Sequence, residues 1–399
     1  MGNDVAAPIY FDHAATTPLD RRVFVAMEPW LTEGFGNPSS SHWLGRQARE
    51  AVEKARRQTA ALLGADPQEI VFTASGTEAD NMALIGVIEQ HGWRDCHVIS
   101  SAFEHPAVLE TCRYLKRHGV DITLLRVGAD GIVDPLALQS ALRPNTRLVS
   151  IMAANNVVGT VQPIDELGRI TRAHGALFHT DAVQAVGKLP FDVRKQAIDM
   201  LSVSAHKLHG PKGVGALFVR RGVELTPLVH GGGQERRLRS ATENVAGIVG
   251  LGLAAEIVRK ELGEEAERLT RLRDRIMDGV AKRVPQAYLI GHARQRLPGH
   301  LCFGFAGLEG ESIKLLLALD EAGVAVSSGS ACSAHRAGEP SSVLLAMGFD
   351  PIRARGSLRV TLGRFNSEEE VDRFLEILPP AVAGLRPVTS RPFAAAALT

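Results

Sequence analysis

Seven short apolar runs punctuate residues 69–220, and most of the gaps between them carry helical spacing. The runs are EIVFT (69–73), HVISS (97–101), DITLLRV (121–127), RLVSIMA (147–153), ALFHT (176–180), DMLSVS (199–204) and GALFVR (215–220). Several are apolar on consecutive residues, which is the pattern of strands buried on both faces of a parallel sheet. Residues 77–90, 106–118, 134–142 and 165–174 read as helices between them. Ahead of them, Leu44, Ala48, Val52, Ala55 and Leu62 recur at helical intervals and stop at Gly64. The alternation predicts an α/β fold, with helices covering a mostly parallel sheet. The texture changes after residue 240. A long charged amphipathic helix, roughly 243–284, reads as a domain connector. Strands at 300–305 and 357–362 with helices at 310–321 and 367–377 then suit a smaller α+β unit.

Composition removes several function classes. Lysine plus arginine number 45 and aspartate plus glutamate 44 among 399 residues, a net charge of +1. That balance argues against a dedicated nucleic-acid binder, which needs a basic surface. No apolar run approaches the roughly 20 residues of a membrane span, so no membrane partner is expected. The first ten residues have neither a basic start nor an apolar stretch, so a cytoplasmic location is expected. Cys96, Cys112, Cys302 and Cys332 are scattered without a CxxC pair, which indicates neither a disulfide framework nor a metal site.

Reactive groups in open α/β sheets gather beyond the carboxyl ends of the strands. After EIVFT, Ser75, Gly76 and Thr77 lead into a helix. Small residues there let backbone N–H groups approach a phosphate. They also suit an ordinary N-cap, with Glu78 and Asp80 in the first turn. After ALFHT stands Asp181, with Gln184 close behind. An acid at the end of a buried strand needs a partner, either a protonated ring nitrogen or a structural cation. After DMLSVS, Lys207 falls between a buried strand and a Gly-rich turn. Desolvated there, its amine would have a lowered pKa and could form a Schiff base. Taken together, a buried acid, such a lysine and a helix N-terminus describe a pyridoxal phosphate site. His105, beyond the 97–101 strand, could stack on the ring and move protons, or be structural. Cys332 has a Ser- and Gly-rich flank, the composition of an exposed loop, where a thiol is suited to nucleophilic work.

With these residues in view, the chain resembles the cysteine desulfurases of the NifS/IscS type, within the class V aminotransferase group. The resemblance runs from about residue 8 to 378, through YFDHAATTPLD, GNPSSSHWLGRQA, FTASGTEADN, EHPAV, NNVVGTVQPI and FHTDAVQ. It continues through SAHKLHGPKGVGALFVR, GGGQERRLRSATENV, SSGSACSA and LRVTLGRFNSEEEVD. It implies a fold type I architecture for pyridoxal 5'-phosphate enzymes. A large cofactor domain over 16–258 would carry a mostly parallel seven-stranded sheet. A small domain would comprise 1–15 with 259–399 and bear the cysteine loop at about 325–342.

Position by position, the resemblance implies the following roles. Lys207 would hold the cofactor, Asp181 would keep its ring nitrogen protonated, Gln184 would bond its phenolic oxygen and His105 would stack on it. Gly76, Thr77, Ser204 and His206 would hold the phosphate, with Thr242 reaching it from the second subunit of a homodimer. Asn156, beside the cofactor, and Arg359 would hold the substrate carboxylate. Cys332 would take sulfur from L-cysteine as a persulfide, release L-alanine and pass the sulfur to an acceptor protein. An iron–sulfur scaffold sharing a cluster through Cys332 is one such acceptor. His13 stands where many relatives have Asn or Tyr, and Ala241 where glycine is frequent. The alternatives are a selenocysteine lyase, another class V enzyme such as a transaminase, or a binding module built on this fold. A transaminase has no use for Cys332, and a binding module none for Lys207 or Asp181.

Overall fold

The computed structural model describes residues 7–329 and 339–386. A short strand β1 (Ile9–Tyr10) precedes helices α1 (Arg21–Thr32) and α2 (Trp43–Leu63). The His42 side chain caps α2 at its start, and Gly64 ends it with a φ of 68°, a conformation that costs glycine little. Next come β2 (Ile70–Thr73), α3 (Gly76–Gln90), β3 (His97–Ser101), α4 (Pro106–Arg117), β4 (Asp121–Leu125) and α5 (Pro135–Ala141). They are followed by β5 (Thr146–Ser150), α6 (Ile164–His174), β6 (Leu177–Asp181), β7 (Met200–Ser204) and β8 (Gly215–Val219).

The seven strands β2 to β8 form one sheet in the order β2-β8-β7-β6-β5-β3-β4. Strand β8 runs antiparallel to both neighbours and every other pairing is parallel, so β2 points the same way as β7. The expectation of a mostly parallel seven-stranded α/β sheet is therefore met. Its core alternates as a pleat requires. Ile70, Phe72, Leu201, Val203, Ala216 and Phe218 join one apolar cluster with α2 and the stretch 245–258. Val71, Met200, Leu217 and Val219 join another with α3 and α4. At the edge, β4 fully buries only Leu125, as suits an outer strand.

Helix α7 (Val245–Arg283) spans 39 residues and serves two cores. Val245 through Val258 pack with the sheet, whereas Leu269, Leu272, Ile276 and Val280 belong to a separate cluster. That second cluster gathers Ile9 and Phe11 with the C-terminal elements. These are β9 (Ala287–Leu289), β10 (His300–Phe305), α8 (Ser312–Glu321), β11 (Val324–Ala325), α9 (Ser342–Ala346), β12 (Ser357–Thr361) and α10 (Glu368–Leu385). Strands β12, β10 and β9 form an antiparallel sheet, while β11 pairs with β1 in parallel. Residues such as Cys302, Val343 and Leu344 pack on the first core instead.

Helix α10 corrects the sequence reading, which ends it at 377 before Pro379 and Pro380. A proline lacks the N–H that would bond the carbonyl four residues back. Here the Leu375 carbonyl, which would have bonded residue 379, accepts from the Arg283 guanidinium at 3.2 Å. Phe374, Leu378 and Val382 meanwhile keep the apolar face buried, so the helix continues.

Candidate active site

The carboxyl ends of β2, β3, β5, β6 and β7 lie along one edge of the sheet, and the residues that follow them converge there. Asp181 closes β6, is buried, and accepts from the Val183 N–H at 2.9 Å. Burial pushes its carboxyl above the ordinary value, while His105, the Val183 N–H and Lys207 act in the opposite sense. Both His105 and Lys207 therefore face Asp181 closely enough to act on it.

Lys207 follows β7 in a single 3₁₀ turn, Ala205–Lys207. Its Nζ donates to the carbonyls of Ala14 and, at 2.7 Å, Ala15. The Gln184 Nε2 donates to the same Ala14 carbonyl at 2.9 Å. His105 is the N-cap of α4, where its Nδ1 accepts from Ala107 N–H at 3.1 Å and Pro106 opens the helix. A neutral ring accepting at Nδ1 carries its proton on Nε2.

The Ser75 hydroxyl caps α3 by accepting from Glu78 N–H at 3.0 Å. The first N–H groups of that helix, those of Gly76 and Thr77, have no intrahelical partner. A Cβ at Gly76 would stand 2.6 Å from Val183 Cγ2 and 3.4 Å from Ser204 Cβ, so only glycine lets the helix end approach β6 and β7 this closely. Ser204 is buried at the end of β7. His206 pairs its Nδ1 with Thr16 Oγ1 at 3.1 Å, and burial, with Lys207 and Lys212 nearby, brings its ring down to about 4. It is neutral at physiological pH.

Arg359, on β12, is 1% exposed. Its guanidinium donates to the Asn156 carbonyl at 2.9 Å and to Asp12 Oδ1 at 2.8 Å. Nε has no hydrogen-bond partner among the described residues. Two of five N–H groups hold the side chain in place, and the rest can receive a carboxylate. The structure thus brings together Gly76, His105, Asp181, Gln184, Ser204, His206 and Lys207, and separately joins Asn156 to Arg359. Thr77 is exposed at the start of α3. Thr242 is exposed on the segment entering α7, and no hydrogen bond among the described residues joins it to this group. Beside it, Ala241 holds a φ of 130°, a conformation that favours glycine. Cys332 lies outside the described residues.

Two buried acids escape the sequence reading. Asp80, read there as an acid in the first turn of an ordinary N-capped helix, is 2% exposed, with Oδ1 3.7 Å from the Nε2 of buried His179. Burial and then Asp181 push its carboxyl well up. Glu104 accepts from the Ser101 hydroxyl at 2.5 Å and from Met152 N–H at 3.0 Å. Burial pushes it up to about 8. The available signal was position: Glu104 adjoins His105, and Asp80 shares a helical face with Ala83, Leu84 and Val87.

The site fits a phosphorylated heteroaromatic cofactor. A buried carboxyl raised by desolvation is one that a cationic ring nitrogen would stabilise, and the missing side chain at Gly76 sets a helix N-terminus beside Ser204.

Comparison with known proteins agrees with this geometry. The model of the family Aminotransferase class-V matches residues 9–374. "Cysteine desulfurase IscS" of Dictyoglomus turgidum is 49% identical over 381 residues, covering 96% of each chain. The protein of the same name from Anaeromyxobacter sp. is 50% identical over 382 residues, covering 95% of this chain and 93% of its own. Among solved structures, a "NIFS-like protein" superposes with a TM-score of 0.88 at 41% identity, over 95% of this chain and 100% of its own. Another, "SspA in complex with cysteine", gives 0.79 at 37% identity, over 90% of this chain and 100% of its own. The fold type I architecture expected from the sequence is the fold of these neighbours. Among the described residues no helix is long and apolar enough to cross a membrane.

Proposed function

The chain belongs to the class-V aminotransferase family, and on that premise we propose that it is a pyridoxal 5'-phosphate-dependent cysteine desulfurase, which converts L-cysteine to L-alanine and an enzyme-bound persulfide. One observation carries the reading: Asp181 ends β6, Lys207 follows the adjacent parallel strand β7 by one turn, and Gln184 shares the Ala14 carbonyl with Lys207. Relatives named for this activity and a neighbour solved with cysteine support it.

When bound, pyridoxal phosphate supplies an electron sink for a carbanion at the substrate's α-carbon. The side chains do the rest. Lys207 anchors the cofactor through its amine and, once displaced by substrate, takes the α-proton. Asp181 holds a proton on the ring nitrogen, Gln184 donates to the phenolic oxygen, and His105 stacks on the ring and carries protons at Nε2. Gly76, Thr77, Ser204 and His206 hold the phosphate, with Thr242 of the partner subunit in a homodimer. Arg359 and Asn156 fix the substrate carboxylate. Cys332, as thiolate, attacks the substrate sulfur. An S–S bond forms, the C–S bond breaks with its electron pair staying on the carbon, and protonation there leaves the alanine skeleton, whose amine the Lys207 amine would displace to free L-alanine. The persulfide sulfur then passes to an acceptor protein, and the reaction is cytoplasmic.

The direct test is to assay alanine and sulfide from free L-cysteine with a thiol reductant. Equal amounts of both products support the reading. Pyruvate in place of alanine, or neither product from protein with bound cofactor, would overturn it.

A further inference from the structure

Lys188 lies four residues beyond Gln184 in the consecutive turns that follow β6. Val186 N–H bonds the Ala182 carbonyl and Lys188 N–H bonds that of Ala185, which folds the chain back on itself between the two residues. Gly187, with φ of 81°, lets that turn press on Leu208, the neighbour of Lys207, where a Cβ would collide. Lys188 Nζ bonds Gln184 Oε1 at 3.2 Å. The other end of the same amide bonds the Ala14 carbonyl at 2.9 Å. A carbonyl can only accept, so the atom facing Ala14 is the amide nitrogen and the atom facing Lys188 is the oxygen. An amide nitrogen carries two hydrogens, and bonding Ala14 leaves one to donate.

The Ala14 carbonyl has two lone pairs and accepts from Lys207 as well as from Gln184, so it is a shared anchor for the nitrogen end of the amide. Lys188 grips the opposite end of the amide. We propose that Lys188 is a positioning residue that locks the Gln184 amide with its nitrogen turned toward the cofactor's phenolic oxygen, an inference that rests on the reading of Gln184 given above. A flipped amide would point an oxygen at an anionic oxygen and repel it. Lys188 has cationic surroundings: Lys207 and Arg359 lie near enough to act on it, and it acts in turn on His13 and His300. Burial, with Lys207 and Arg359, brings its amine down to about 7, and it donates in either protonation state.

The test titrates the visible absorption of the bound cofactor against pH, in full-length loaded enzyme without substrate. Gln184→Leu, losing the donor, raises the midpoint by about one pH unit, the size of one charge-assisted hydrogen bond. Lys188→Met is expected to raise it in the same direction, Lys188→Arg to restore it, and the double variant to go no further than Gln184→Leu alone. A normal midpoint in Lys188→Met beside a shifted Gln184→Leu overturns the role of Lys188 and leaves that of Gln184 standing. Additive shifts in the double variant also overturn it, because Lys188 then acts by its own charge. An unshifted Gln184→Leu removes the Gln184 reading and this proposal with it. If Lys188→Met fails to fold, Lys188→Ala carries the same comparison.

Discussion

The Arg359 guanidinium donates to the main-chain carbonyl of Asn156 across 2.9 Å, linking β12 of the C-terminal sheet to the loop beyond β5. Its other contact, at 2.8 Å, is Asp12 beside the N-terminal strand. Three separated parts of the chain thus fix one buried cation. Arg359→Lys keeps the charge but loses the fork that can hold these partners and a carboxylate together. Losing charge-assisted bonds of about 1.5–3 kcal/mol corresponds to roughly ten- to a hundredfold weaker substrate binding. Steady-state kinetics with L-cysteine are expected to show this rise in KM; an unchanged kcat/KM would remove Arg359 from the carboxylate site.

Asp181→Asn separates catalysis from stability. The native carboxyl is raised chiefly by burial, so it is a group the fold carries at a cost. An amide avoids that cost but cannot hold a proton on a ring nitrogen. The variant is expected to unfold in urea no earlier than the wild type while alanine production falls on the order of a hundredfold or more. Near-normal turnover would take Asp181 out of its role.

Glu104 gives a pH dependence with a definite sign. Its folded value of about 8 lies above the ordinary 4.5, so the folded state holds the proton more tightly than the unfolded chain. The native fold therefore binds more protons between these values, and stability falls as pH rises from about 4.5 to about 8. Glu104→Gln stays neutral and can still accept from Met152 N–H. Relative to wild type it is expected to gain stability at pH 8 over pH 5, on the order of a few kcal/mol at most. Urea unfolding at the two pH values checks this; an identical difference at both would mean that Glu104 is ionised in the fold.

Ala241 offers a local test of strain. Its φ of 130° lies where a Cβ is disfavoured. Ala241→Gly is expected to raise stability by up to about 1 kcal/mol, the relief partly offset by glycine's greater freedom when unfolded. Thermal unfolding of the two proteins decides it.

The sheet could be read from sequence because β3, β7 and β8 are buried along their whole length, so β8 is an unbroken apolar run and β3 and β7 add only serines and one histidine to their apolar residues. Strand direction was less accessible, since nothing in GALFV marks β8 as antiparallel. Lys207 and Asp181 were legible because each directly ends or follows such a run. Asp80 and Lys188 were not, because their significance depends on which loops meet in space. Asp80 looks like any first-turn acid until α3 packs it against His179. Lys188 looks like a solvated lysine until Gln184 turns back on it. At α10 the proline rule failed because a distant arginine, Arg283, satisfied the carbonyl that the proline left open.

The last prediction concerns which thiol carries sulfur. Cys96, Cys112 and Cys302 are all buried, at 2%, 2% and 0% exposure. Burial pushes the Cys96 thiol up and takes Cys112 and Cys302 up to about 12. A thiol must ionise to attack a sulfur, so burial disfavours all three as nucleophiles. This chemistry favours Cys332, which lies outside the described residues, as the nucleophile proposed above. Protein given L-cysteine without reductant is expected to gain one sulfur atom, at Cys332, by peptide mass spectrometry. Cys332→Ser is expected to keep the fold and the bound cofactor, because the groups proposed to hold it follow β2 to β7. It should lose desulfuration, since a hydroxyl is a far weaker nucleophile toward sulfur than a thiolate. Added sulfur on Cys96, Cys112 or Cys302, or full activity of Cys332→Ser on cysteine, would reverse the assignment.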